Sequence, residues 1–279
     1  MTAKVFLSYE AVDENLVRPI ARSLIKKGIE VWFKGEPEIG VDLAEFIDQE
    51  IKASDYVLVF LSDGFSNYQD LIHTYPTLIS NDWFSRGITV LPVVFENRKV
   101  PSSLTPDQYF TLASNSEEDI ASLVYKLSLI KYLDFSEMHE KSLMPIINDL
   151  LIRMGFEDVK AEHRISKGNY ISDFVAYTSL YTSEGKVRET WLVEVKAYRS
   201  GRASTQVIQQ LANYISSSPV KSKGLLITNS QLTSAALSSL IKITTERQID
   251  IRVIDGMYLK SLLLHNDDLI MKYFVKSGE

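Results

Sequence analysis

The first half of the chain alternates short apolar strand patterns with amphipathic helical patterns. The strand patterns are KVFLSY, IEVWF, YVLVFLS and ITVLPVVF, and the helical patterns between the first three are NLVRPIARSLIKKG and LAEFIDQEIKAS. The first helical pattern ends at Gly28, a residue type that often follows the last turn of a helix. Strands that alternate with helices predict a parallel sheet with helices on both faces. This half is therefore predicted to be an α/β domain.

Two strand patterns of the second half carry charged residues. Asp173 lies in ISDFVAY, and Glu194 and Lys196 lie in TWLVEVKAY. The intervening TSLYTSEGKVRE is polar and contains Ser-Glu-Gly, so it is predicted to connect the two strands as a hairpin. If the strands pair, Asp173 reaches Glu194. Glu194 and Lys196 are two residues apart on a strand, so their side chains share one face, while Val193 and Val195 face the other way.

Two carboxylates and an ammonium at one point suit metal-dependent hydrolysis of a phosphodiester. Mg²⁺ prefers oxygen ligands, takes few of them from the protein and keeps several waters. The metal activates a water and neutralises charge on the phosphate, and Lys196 can stabilise the developing oxyanion. The alternative is that this acid-x-lysine triplet is a solvent-facing ion pair. Its apolar neighbours Leu192, Val193 and Val195 indicate a buried strand, however, and buried charges need a ligand or a partner.

Residues 143–263 resemble the Mrr-type restriction endonuclease domain of the PD-(D/E)xK nuclease superfamily. Gln210 and Tyr214 match the Gln-x-x-x-Tyr element of that family. The order of elements also matches: helix LMPIINDLLIRMGF, a basic loop, the Asp173 strand, the Glu194 strand, a helix with QQLANY, strand KGLLITNS, helix LTSAALSSLIKITTE and strand IDIRVIDG.

This resemblance implies an α/β/α restriction-endonuclease-like fold with a mixed sheet, and an enzyme that cuts double-stranded DNA. The implied catalytic residues are Asp173, Glu194, Lys196 and Gln210, with Asp173 and Glu194 as the ligands of Mg²⁺ or Mn²⁺. Two positions depart from the family pattern. The first helix of the family often begins with Phe-Glu, whose acid assists metal binding, and Leu143 and Met144 stand there in this chain. Ser172 stands where Pro often precedes the Asp.

Basic residues in two loops of this half suit contact with DNA phosphates. The segment from Lys160 to Lys167 includes Arg164, and the stretch after the Glu194 strand includes Arg199 and Arg202. Phosphate contacts position a duplex without reading its sequence, and no base-reading motif accompanies them. The predicted DNA-binding residues are Arg164, Lys167, Arg199 and Arg202. The alternative for any one of them is an ordinary surface residue.

Residues 3–130 resemble a TIR domain, which implies a flavodoxin-like parallel sheet. KVFLSY with Glu10 is similar to the opening box of that family, and GIEVWFKGEPEIGVDLAEFIDQEIKASDYVLVFLS is similar to its second strand, BB loop, helix and third strand. TIR domains are either self-associating adaptors or enzymes that hydrolyse NAD with a glutamate on the helix after the third strand.

In this chain that glutamate is missing. Our alignment places His73, Thr74 or Tyr75 at its position, and no Glu occurs from Tyr56 to Phe95. Asp70 is an alternative acid. Without an acid to stabilise an oxocarbenium-like state, cleavage of the nicotinamide bond is not expected. The domain is therefore predicted to be a regulatory or assembly module that binds a nucleotide ligand or a protein partner.

The composition fits two modest domains, predicted as residues 1–132 and 133–279. The chain has 279 residues, 45% of them hydrophobic, and a net charge of -6, which excludes a surface that is basic throughout but permits one basic cleft. It has no Cys, which excludes disulfides and thiolate metal sites. YVLVFL, the longest apolar run, is too short for a bilayer span, and the N-terminus lacks signal-peptide architecture, so a cytoplasmic protein that does not bind membranes is predicted.

Together these patterns predict an Mg²⁺-dependent DNA endonuclease that acts in bacterial defence under the control of the TIR-like domain. Cutting both strands needs two sites, so a homodimer or larger homo-oligomer is expected. A second hypothesis is an NAD-hydrolysing or nucleotide-sensing TIR protein whose nuclease-like half only binds DNA. A third is a scaffold in which both sites are inactive.

Overall fold

The structure is a computed structural model of the 279-residue chain, and it divides into two compact units. The first unit comprises Met1–Leu133 with Lys260–Glu279, and the second comprises Asp134–Leu259. The structure describes residues 3–33, 49–61, 88–96, 100, 106–112, 116–135, 138–164, 171–182 and 185–275. The predicted assignment of residues 133–279 to one domain stays a prediction, and the compact units differ from it at residues 260–279.

The first unit contains a five-stranded sheet in which every pair of neighbours is parallel. Its strands are β1 (Lys4–Ser8), β2 (Glu30–Phe33), β3 (Tyr56–Leu61), β4 (Thr89–Phe95) and β5 (Phe110–Leu112). The order β2-β1-β3-β4-β5 is the flavodoxin-like order of doubly wound sheets. All six residues of β3 are buried, as expected of an apolar strand inside such a sheet. The predicted parallel sheet is confirmed.

Two helices of the first unit begin and end at recognisable sequence signals. In α1 (Glu14–Lys26) the buried residues Val17, Ile20, Ala21 and Leu24 form one apolar stripe. Gly28 follows with φ +81°, the left-handed conformation that glycine adopts without strain. In α2 (Glu117–Ser128) Ser116 caps the start, where its Oγ accepts a hydrogen bond from Asp119 N at 3.1 Å. Short 3₁₀ helices occupy Ala11–Asp13, Pro106–Gln108 and Leu129–Tyr132.

The second unit contains a five-stranded mixed sheet. Its strands are β6 (Glu157–Arg164), β7 (Ile171–Thr182), β8 (Gly185–Lys196), β9 (Ser222–Thr228) and β10 (Ile251–Ile254), in the order β10-β9-β8-β7-β6. β6, β7 and β8 pair antiparallel, whereas β8, β9 and β10 pair parallel. The mixed sheet and the antiparallel pairing of the Asp173 and Glu194 strands are confirmed. The predicted connection TSLYTSEGKVRE was too long, because β7 and β8 pair as far as Thr182 and Gly185. The predicted basic loop from Lys160 was wrong in its first part, because residues up to Arg164 pair with β7 as β6.

The described residues of the second unit also form the helices α3 (Glu140–Arg153), α4 (Thr205–Ser217) and α5 (Ser234–Glu246). Each follows a predicted helical pattern. α4 packs on β8 and β9, and its buried side chains belong to the core that also contains Val175, Leu192 and Leu226. Side chains two residues apart on a strand share one face, so Asp173 lies on the same face as Val175 and Glu194 on the same face as Leu192. α4 therefore covers the sheet face that carries both acids.

The C-terminal helices α6 (Gly256–His265) and α7 (Asp267–Tyr273) carried no predicted pattern. Residues 260–275 fold with the first unit. The His265 ring stacks on Phe110 with centroids 4.6 Å apart, and its Nε2 lies 2.9 Å from Tyr109 O. Ser261 Oγ donates to Asp107 O at 3.1 Å. Across the described ranges, every helix is too short or too polar to span a bilayer.

Gly256 gives a test of the packing in the second unit. A Cβ at this position would lie 2.4 Å from the carbonyl oxygen of Asn229, closer than non-bonded atoms approach. We expect Gly256→Ala to lower the free energy of unfolding by about 1–3 kcal/mol, because backbone must move to relieve the overlap. Urea unfolding measures the change. Ser238→Ala on the exposed side of α5 is the control, and equal stability of both variants would contradict the expectation.

Candidate active site

Asp173 and Glu194 lie on neighbouring strands and face the same side of the sheet. Phe174 on β7 pairs with Val193 on the antiparallel β8. Asp173, one residue before Phe174, therefore lies next to Glu194, one residue after Val193. Asp173 Oδ2 also accepts a hydrogen bond from Val195 N at 2.7 Å. This bond ties the Asp173 carboxylate to the backbone between Glu194 and Lys196, so the two strands bring their acids together.

The Glu194 carboxylate is buried and its two oxygens differ. Glu194 is 3% exposed. Its Oε1 lies 2.8 Å from Lys196 Nζ and accepts a hydrogen bond from Gln210 Nε2 at 3.3 Å. Gln210 also donates to the hydroxyl of Tyr214, one turn further along α4. Among the described residues, Glu194 Oε2 has no hydrogen-bond partner although it is buried. A buried carboxylate oxygen without a donor is costly unless a ligand satisfies it.

Burial and the neighbouring charges shift the pKa values of both Glu194 and Lys196. Burial raises the pKa of Glu194 above its ordinary value, the hydrogen bond and charge of Lys196 oppose this, and the charges of Asp173 and Glu140 add to it. Burial acts to lower the pKa of Lys196, but the Glu194 hydrogen bond and the charges of Glu194, Asp173 and Glu140 outweigh burial and raise it. Lys196 therefore stays protonated at neutral pH, so it acts as a cation and hydrogen-bond donor and not as a general base.

Glu140 is the acid that the sequence patterns did not identify. It begins α3, and its Oε1 lies 3.6 Å from Lys196 Nζ. The family pattern directed attention to Leu143 and Met144, and Leu143 is buried in the core. Glu140 lies four residues before Met144, which is one helical turn on the same side of the helix. An acid one helical turn before the position where the family has its acid could therefore have identified Glu140.

The residues present fit a hard divalent cation. Asp173 and Glu194 supply carboxylate oxygens, and Glu194 Oε2 lacks a donor among the described residues. Within the same residues no three acidic or histidine side chains converge as a complete metal cage. Mg²⁺ does not need such a cage, because it commonly binds through one or two carboxylates and keeps several waters. The donor set of two carboxylates is therefore chemically suitable for Mg²⁺ or Mn²⁺.

Two of the four predicted DNA-binding residues can be placed. Arg199 is exposed in the stretch after β8, and its guanidinium lies 2.8 Å from Nε2 of His139, the residue before α3. Arg202 follows in the same stretch and is half-buried. Lys167 and the side chain of Arg164 lie outside the described residues. The structure thus brings Asp173, Glu194, Lys196 and Gln210 together, and Arg199 and Arg202 follow them directly along the chain.

The predictions about the first unit concern residues that are mostly outside the described ranges. Glu10 follows β1 and is exposed at the start of the 3₁₀ helix Ala11–Asp13. The BB-loop segment and positions 70 and 73–75 lie outside the described residues. The predicted loss of NAD hydrolysis therefore stays a prediction.

Comparison with protein families identifies both halves of the chain. Residues 5–124 match the family model described as "TIR domain", and residues 135–263 match the one described as "Restriction endonuclease". The chain therefore carries a TIR domain followed by a restriction endonuclease domain of the Mrr type, and both predicted resemblances are confirmed.

Solved structures that align with parts of the chain include two restriction endonucleases. The DNA modification-dependent restriction endonuclease AspBHI aligns with 13% identity and a TM-score of 0.40, covering 53% of this chain and 38% of its own. The MspJI restriction endonuclease, solved in complex with a 27-mer oligonucleotide, aligns with 14% identity and a TM-score of 0.36, covering 65% of this chain and 40% of its own. The chain thus matches about two fifths of the length of each. Comparison with curated proteins found no match.

Glu194 gives the stability of the chain a pH dependence of defined sign. Because its pKa in the folded chain is raised above 4.5, the folded chain keeps a proton that the unfolded chain releases. The free energy of unfolding therefore decreases as the pH rises from about 4.5 through the raised pKa. Glu194→Gln lacks this titration. We expect the metal-free wild type to lose stability relative to Glu194→Gln as the pH rises through this window.

Urea unfolding at a series of pH values measures this difference. Glu246→Gln is the matched control, because Glu246 lies on the exposed side of α5 in a solvent-exposed pair with Lys242. The control should follow the wild type at each pH. Parallel stability curves for the wild type and Glu194→Gln would contradict the assigned environment of Glu194.

Proposed function

We propose that this protein is an Mg²⁺-dependent endonuclease that hydrolyses phosphodiester bonds of double-stranded DNA. The observation that carries the proposal is the buried Glu194 carboxylate, which has Lys196 at one oxygen and no donor among the described residues at the other. The restriction endonuclease family match supports the same class of reaction. Buried charge of this kind is costly for folding, which favours a ligand-binding role over a structural one.

The side chains of the site have separate roles in this proposal. When bound by Asp173 and Glu194, Mg²⁺ supplies Lewis-acid chemistry that activates a water and offsets charge on the phosphate. Lys196 donates hydrogen bonds to the scissile phosphate and stabilises its negative charge in the transition state. Gln210 holds Glu194 Oε1. The Val195 N–H holds Asp173 Oδ2, so both acids are oriented before substrate binds.

The cellular role follows from the pairing of the two domains. A TIR domain joined to a restriction endonuclease domain supports a defence effector in the cytoplasm, with the TIR domain as the regulatory or assembly module that responds to a nucleotide or a protein partner. Cutting both strands of a duplex requires two sites. We therefore propose a homodimer or a larger homo-oligomer as the active form.

Cleavage of supercoiled plasmid in Mg²⁺ tests the reaction. Asp173→Ala removes a proposed metal ligand and Lys196→Ala removes the proposed cation, so each should lower the cleavage rate by about 100-fold or more. Lys221→Ala is the matched control, because Lys221 is exposed in the same unit and makes no ion pair with the described residues. Chelation of the metal should abolish wild-type cleavage.

Other outcomes of that experiment would contradict the proposal. Cleavage that survives in both variants would show that the acids and Lys196 are not the catalytic groups. A wild-type protein that binds plasmid without cutting it, and consumes NAD equally in all variants, would support the alternative of an active TIR domain with a DNA-binding partner domain. NAD loss is measured in the same samples.

Glu140 is expected to affect metal binding more than stability. Its side chain is 48% exposed and its ion pair with Lys196 is long, so Glu140→Gln should change the free energy of unfolding by less than about 1 kcal/mol. Loss of its negative charge should raise the Mg²⁺ concentration for half-maximal cleavage about 10-fold. Titration of cleavage with Mg²⁺ measures this, with Glu246→Gln as control. An unchanged Mg²⁺ midpoint would exclude Glu140 from the metal environment.

A further inference from the structure

Tyr198 continues the row of functional side chains beyond the end of β8. Glu194, Lys196 and Tyr198 are spaced two residues apart, and side chains at this spacing share one face of an extended chain. The regular pairing of β8 with β9 ends at Lys196 and Thr228. Tyr198 therefore keeps its place in the row only if something holds the chain extended past Lys196.

The side chain of Asn229 provides that hold. Asn229 Oδ1 accepts a hydrogen bond from Tyr198 N at 2.8 Å, and Asn229 Nδ2 donates to Tyr198 O at 3.0 Å. Asn229 Nδ2 is also 3.5 Å from Phe135 O. The amide group thus satisfies both backbone groups of Tyr198, as a neighbouring strand would. Asn229 directly follows β9, so its side chain continues, by one residue, the hydrogen bonding that the β9 backbone makes with β8.

The surroundings of the Tyr198 side chain are those of the active site. The residue is half-buried, and its ring packs against the core that contains Leu192 and Val207. Burial raises the pKa of the Tyr198 hydroxyl above 10.0, with Lys196 acting to lower it and Glu140 to raise it. The hydroxyl is therefore protonated at neutral pH. Among the described residues it makes no hydrogen bond.

Packing alone does not account for a tyrosine at this position. A phenylalanine would fill the same space in the core without supplying a hydroxyl. The side chain is half-buried and its hydroxyl has no partner among the described residues, so solvent or a ligand is left to supply its hydrogen bond. Of its neighbours in the row, Glu194 is a proposed ligand of the metal and Lys196 is the proposed hydrogen-bond donor to the scissile phosphate.

We propose that Tyr198 is a further substrate-contacting residue, whose hydroxyl donates a hydrogen bond to a phosphate oxygen of the DNA strand that is cut. Asn229 is its positioning residue, because it holds the Tyr198 backbone at both polar atoms. This inference rests on the proposed nuclease function. The phosphate would lie beside Lys196, so that one ammonium and one phenol donate to the same nucleotide.

Tyr198→Phe in the full chain tests the contact, because it removes the hydroxyl and keeps the ring. Loss of a hydrogen bond to a charged group should lower kcat/KM for plasmid cleavage in Mg²⁺ by about 10-fold to 100-fold. Affinity for a short duplex in Ca²⁺, used to permit binding without cleavage, should fall as well. The melting temperature should match that of the wild type. Tyr125→Phe, on an exposed tyrosine of α2, is the control.

Asn229→Ala and the double variant test the positioning role. If Asn229 acts through the Tyr198 hydroxyl, Asn229→Ala should lower kcat/KM at least as much as Tyr198→Phe, and the double variant should be no worse than Asn229→Ala alone. Independent effects that multiply would overturn the positioning role. Tyr198→Phe activity within about twofold of wild type, with Lys196→Ala inactive, would overturn the phosphate contact and leave the nuclease proposal intact. A wild type that neither binds nor cuts duplex would overturn both.

Discussion

The buried ion pair of Glu194 and Lys196 is the constraint on which the second unit depends. β8 is the central strand of its sheet, with β7 on one side and β9 on the other, and the side chain of Glu194 on this strand is buried. A charge in such a place is tolerated only with fixed partners. Gln210 and Lys196 serve one oxygen of Glu194. Its other oxygen has no donor among the described residues, and under the proposed function that oxygen binds the metal.

The convergence of the site could be predicted because it depends on short-range geometry. Period-two alternation places Glu194 and Lys196 on one face, and a hairpin between neighbouring strands needs no distant contact to bring Asp173 alongside. The parallel sheet of the first unit was similarly predictable, since β3 is an uninterrupted apolar run and α1 carries a clear apolar stripe that ends before Gly28. In each case a local pattern determines which side chains face inward.

The parts that could not be predicted depend on tertiary contacts or on very short elements. β5 has three residues, too few for a period to be recognised. α6 is apolar around much of its circumference and shows no amphipathic period. Glu140 and Asn229 reach the site from segments far from β8 in sequence, and both are ordinary polar residues by pattern. Glu140 comes close to Lys196 only through the packing of α3. Asn229 comes close to this part of the chain only because β9 ends just before it.

The acidic character of the chain is compatible with the chemistry of this site. Glu194 and Glu140 pair with the ammonium of Lys196 and the charge of Asp173 also acts on it, so negative charge outweighs positive charge among these four groups and opposes a phosphate when no metal is bound. Under the proposed function a divalent cation reverses that balance, and DNA can approach the catalytic residues only when the cation is present. Arg199 and Arg202, which follow β8, would then contact the DNA phosphates on either side of the scissile one. These contacts would not remove the need for the cation at the site itself. Metal occupancy and DNA binding are therefore expected to be coupled, which would make the proposed action on a polyanion compatible with a net charge of -6.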